Sequence, residues 1–65
     1  MLPHQQRVVD EKDELGVKFS ALVHFIASNP VFDGLDRAEQ GRLRDQRDAM
    51  RSYYDILCAR IAAFK

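Results

Sequence analysis

Threonine and tryptophan are absent from this 65-residue sequence, glycine occurs three times, proline twice and cysteine once. The single thiol, Cys58, cannot staple the fold internally, and at its helical-period position it is a small apolar side chain. A reducing, intracellular compartment fits that usage. The three glycines never cluster, which excludes a phosphate-cradling loop of the dinucleotide or P-loop kind. An excess of charge is also missing, since ten Lys and Arg balance ten Asp and Glu. No field of one sign therefore draws the chain to a DNA or RNA duplex or to an acidic membrane. The longest apolar run, Ala21 to Ala27, contains His24 and is too short to span a bilayer. The start lacks the basic region and apolar core of a signal peptide, so a cytoplasmic location is expected. Enzyme signatures are equally sparse. His4 and His24, twenty residues apart, would stand about 30 Å from each other on one helix and cannot share a metal within one chain. No catalytic residue, metal or cofactor is expected, and the serines are not expected to be activated nucleophiles.

What is present is helical periodicity. Pro3 suits the first turn of a helix, where its missing N–H would be unpaired anyway. Val8, Leu15 and Leu22 recur every seven residues with Phe19 and Ile26 beside them, giving one stripe at a coiled-coil-like period to about Ser28. Glu11 and Lys12 occupy the turn where that stripe lacks an apolar residue. Gly16 costs about 1 kcal/mol relative to Ala in a helix interior; it either admits a close neighbour or ligand or is a solvated weak point. Asn29-Pro30 ends the helix. Phe32 and Leu35 plug the end of a loop spanning 29–36. Asp36 and Glu39 have capping-box spacing. A second helix then runs from about 37 to 64, with a stripe of Leu43, Gln46 or Arg47, Met50, Tyr53 or Tyr54, Leu57, Ile61 and Phe64.

The sequence therefore predicts a single all-α domain over 1–65, a two-helix antiparallel hairpin. Each helix of such a hairpin has one neighbour, and so small a chain buries little surface alone. Assembly into a homo-oligomeric helical bundle, with Leu15, Leu22, Met50, Leu57 and Ile61 covered, is the expected remedy. Most charges of the second helix belong to a solvated face, with Arg44 and Asp48, and Arg51 and Asp55, spaced to pair. Arg60 lies next to the stripe, where it either forks onto an anion or snorkels to water over Phe64. Arg7 and Lys18 flank the first stripe and are either anion contacts at a subunit seam or rim charges.

Taken together, the run Pro3 to Lys12, then Glu14-Leu15, Lys18, Leu22, Phe25-Ile26, Phe32, Glu39-Gln40, Leu43, Gln46, Met50, Tyr54, Ile56-Leu57 and Arg60-Ile61 resembles the hairpin domain of the phage anti-CBASS cyclic-oligonucleotide sponges, shared with the Thoeris anti-defence sponge. The pattern covers nearly the whole chain but contains no short diagnostic motif. The resemblance implies a hexamer that, in the infected bacterial cell, sequesters cyclic dinucleotides such as cyclic GMP-AMP without cleaving them. It implies a dinucleotide pocket between protomers formed by Pro3, His4, Arg7, Lys18 and Ser20, with Lys18 on phosphate. The aromatic position falls at Pro3 or His4, so the tyrosine usual there is missing and His4 is left to stack. It also implies a cyclic trinucleotide site at Arg60 and Phe64. The competing reading is a small coiled-coil-like protein–protein interaction module whose free stripe docks on a partner helix. A transcriptional regulator is disfavoured by the balanced charge and by the lack of a third helix for groove docking.

Overall fold

The computed structural model describes every residue from Met1 to Lys65 and contains three helices and no strand. They are α1 (Pro3–Ser28), α2 (Pro30–Asp33) and α3 (Arg37–Ala62). The long helices α1 and α3 pack side by side as an antiparallel hairpin, a rod of 47 × 15 × 14 Å.

Local chemistry sets the helix ends. At the start of α1 the Leu2 N–H donates to Gln5 Oε1 at 2.9 Å, which satisfies one of the orphan amides of the first turn. The Gln5 side chain is thereby buried with its polar end partnered. Asp36 caps α3, accepting from the Glu39 N–H at 2.8 Å. The reciprocal half of a capping box is missing because the Glu39 carboxylate pairs instead with Arg42 Nε at 2.8 Å.

The connection departs from the expected loop. Asn29 and Pro30 do end α1, but the same pair starts a new turn. Asn29 Oδ1 accepts from the Val31 N–H at 2.9 Å, and Pro30 occupies the first helical position, for which its ring is preset. The resulting turn, α2, aims Phe32 inward. Its ring is 3% exposed and meets Phe25 edge-on at 6.1 Å between centroids. Gln40 Nε2 donates to the Phe32 carbonyl at 2.9 Å, tying α2 to α3. Phe32 thus closes the end of the hairpin, with Leu35 half-buried beside it.

At the other end α3 stops at Ala62, short of Phe64. The Phe64 N–H folds back onto the Ile61 carbonyl at 3.1 Å, which lets the ring pack on the core. That core is Val8, Leu15 and Leu57, with Met50, Tyr54, Ile61 and Phe64 partly buried against it. The two ambiguous stripe positions resolve in the same way. Arg47 and Tyr54 lie half-buried toward α1, whereas Gln46 and Tyr53 are exposed.

The expected i to i+4 ion pairs of α3 are replaced by others. Arg47 Nε takes Asp48 at 2.9 Å, and Arg44 lies over the Phe32 ring at 5.2 Å in a cation–π contact. Arg51 and Asp55 remain exposed and form no ion pair.

Candidate functional site

An α-helix turns about 100° and rises about 1.5 Å per residue, which decides which candidate side chains share a face. His4, Arg7 and Lys18 lie on one face of α1 and are all exposed. Arg7 and Lys18, eleven residues apart, point within about 20° of each other but stand about 16 Å apart along the axis. His4 lies still farther, about 21 Å from Lys18. Ser20 points about 200° away from Lys18 and opens on another side of the hairpin. Pro3, His4 and Arg7 share the first turns of α1, but Lys18 and Ser20 do not converge on them within one chain. A small ligand that touched Lys18 or Ser20 together with that group would have to lie between two copies.

The second candidate pair sits at the open end of the rod. Arg60 is exposed on the last turns of α3, and Phe64 is half-buried against the Val8, Leu15 and Leu57 cluster. Phe64 thus has a packing role in the single chain, while the Arg60 guanidinium is free to meet an anion. The hairpin register places Arg60 level with Asp10, because Gly16 and Tyr54 meet and the helices run antiparallel from there.

Sequence reasoning did not assemble a third group, in the seam between α1 and α3. Lys12, Asp13, Gly16, Val17, Ser20 and Tyr54 line an open groove there. Lys12 stands where the α1 stripe lacked an apolar residue. Its side chain keeps 28% of its surface, and Nζ pairs with Asp13 Oδ1 at 3.2 Å. That hydrogen bond and charge raise the Lys12 ammonium above its ordinary 10.5, with Tyr54 and Cys58 adding to the effect against a small desolvation. The cation persists throughout the neutral range. Gly16 is the close-approach glycine of the two readings left open above, since a Cβ built there would lie 3.2 Å from Tyr54 Cε2. The signal for this group was the four-residue ladder of Lys12, Gly16 and Ser20, with a glycine in the middle rung.

A second open depression, lined by Ala21, His24, Phe25, Ser28, Asn29 and Pro30, lies at the closed end. His24 is one turn from both Ser20 and Ser28, yet the Ser28 hydroxyl donates to the His24 backbone carbonyl at 2.9 Å and the imidazole engages neither serine. No group of three His, Cys, Asp or Glu side chains is placed to hold a metal. No helix is long and apolar enough to cross a membrane.

The family model for Sequestin matches residues 2–63, almost from end to end. The chain belongs to the Sequestin family. A relative from Enterobacteria phage T4, described as an uncharacterized 7.5 kDa protein in the denB-rIIB intergenic region, is 42% identical over 65 residues, all of both chains. No solved structure matches significantly. The matched residues span both long helices and the turn between them.

Proposed function

We propose that this chain is a phage-encoded sponge that binds a nucleotide second messenger of its bacterial host and holds it intact, away from the effector it would activate. The observation that carries this reading is the match to a family named for sequestration across residues 2–63. The phage relative of equal length supports the source. Cyclic dinucleotides such as cyclic GMP-AMP are the first ligands to expect, with cyclic trinucleotides second, which makes CBASS-type signalling the pathway blocked. The cations available for phosphate are Arg7 and Lys18 along α1 and Arg60 near the end of α3. Each phosphate contact from such a group contributes about 1.5–3 kcal/mol.

In this reading the working form is a homo-oligomer, a hexamer, in the host cytoplasm. Only five of 65 side chains are buried in the hairpin, and Val17, Val31, Tyr53 and Ile56 stay exposed, so a lone hairpin has apolar surface to cover. Copies meeting along α1 bring His4, Arg7 and Lys18 of one chain toward Ser20 of another, which is how a split pocket would close.

Sequestration needs no bond-breaking step, and bound ligand is expected to be recovered unchanged. Native mass spectrometry of the purified protein with a panel of cyclic di- and trinucleotides reports subunit count and ligand together. Chromatography after heat release should then return the input nucleotide quantitatively. Linearised or hydrolysed product, or a chain that retains a protein partner and no nucleotide from the panel, refutes the proposal.

A further inference from the structure

The groove between α1 and α3 carries a recognition chemistry that the seam cations do not use. Along α1, Lys12, Gly16 and Ser20 form one ladder, and the Tyr54 ring from α3 enters at its middle rung, against Gly16. The order is therefore ammonium, aromatic ring, hydroxyl, over about 12 Å of helix axis. That order and length suit one nucleotide, with a phosphate at the cation, a base on the ring and a polar base edge at the hydroxyl. Base–aromatic stacking contributes without regard to which base it is.

Gly16 lets the Tyr54 ring lie close against α1, because a Cβ there would stand 3.2 Å from Tyr54 Cε2 and the ring would have to give way by a few tenths of an ångström. The Lys12 stem is covered while its ammonium is paired only with the exposed carboxylate of its own neighbour, Asp13, at 3.2 Å. An incoming phosphate can exchange for that carboxylate without moving the backbone. All six lining residues belong to a single hairpin.

Resting on the sequestration reading above, we infer that this groove is a nucleotide site complete within one chain, with Lys12 holding phosphate and Tyr54 stacking the base. Asp13 then competes with the ligand for Lys12. Asp13→Asn is expected to tighten binding several-fold, and Lys12→Gln to weaken it tenfold or more. Arg42→Gln, exposed beyond the groove on α3 and engaged with Glu39, controls for general charge.

The test is amide NMR titration of the full chain and these variants with two probes, adenosine monophosphate and cyclic GMP-AMP. The expected result is a saturable shift of the Gly16 amide with adenosine monophosphate, lost in Lys12→Gln and kept in Arg42→Gln. If cyclic GMP-AMP binds while shifts are confined to the His4, Arg7 and Lys18 face and Gly16 stays still, the groove assignment is overturned and the sponge reading stands. A Gly16 response to adenosine monophosphate with no binding of cyclic GMP-AMP supports the groove and counts against the cyclic dinucleotide. Silence toward both probes overturns the groove. Equal weakening by Lys12→Gln and Arg42→Gln does the same, since it reduces the effect to bulk charge.

Discussion

Leu57→Ala should leave most of the chain unfolded at temperatures where the native hairpin is intact. Leu57 is the one side chain with no exposure at all, and it forms the core with Val8 and Leu15, against which Met50, Tyr54, Ile61 and Phe64 pack. Truncating a buried leucine costs about 2–5 kcal/mol. A chain of 65 residues has about 3–10 kcal/mol of total stability, so the loss is comparable to the whole. Ile56→Ala next door makes the contrast, because Ile56 is 58% exposed in the hairpin. Its cost should be small in dilute protein and should grow with concentration if association covers that face. Thermal melts followed by circular dichroism at two protein concentrations measure both. A Leu57→Ala variant that melts like the parent would mean that the hairpin is not the folding unit.

Lys18→Ala should weaken cyclic dinucleotide binding about ten- to a hundredfold and leave trinucleotide binding alone, with Arg60→Ala doing the reverse. The size follows from one charge-assisted phosphate contact of about 1.5–3 kcal/mol. Both residues are exposed and belong to no ion pair in the structure, so removing either charge leaves no buried partner orphaned. The oligomer should therefore persist in both variants. Calorimetric titration of each with both ligand classes separates the outcomes. Equal losses for both ligands mean one shared site, and changes within a few-fold make both residues rim charges worth little.

Most of the architecture was legible in the chain. Heptad spacing of Val8, Leu15 and Leu22 gave the α1 stripe, and Asp36 marked the start of α3, because these depend on period and on a single cap. The loop was harder. Asn29-Pro30 is both a stop and a start signal, and only the fit of Phe32 against Phe25 and Arg44 selects the extra turn. Spacing alone pairs Arg44 with Asp48, a rule that holds for isolated helices and yields where an aromatic face competes. The groove was hidden for a similar reason. Lys12 and Gly16 were each visible as an interruption, but their meaning depends on Tyr54, which is distant in sequence and brought there by the hairpin register.

The small plug at Phe32 also bears on the order in which the molecule forms. Phe25 meets Phe32, and Phe32 meets Gln40, across seven or eight positions of chain, whereas Val8 reaches Leu57 only after 49 intervening steps. Closing a short loop costs less entropy than closing a long one, so docking should nucleate at the plug and zip outward as each turn of α1 finds its counterpart on α3. The ends carrying His4 and Arg60 are then the last to order and the first to fray. Hydrogen exchange should accordingly speed up from the plug toward the termini, and a ligand held at the open end would act as a clasp on the part of the rod that is otherwise loosest.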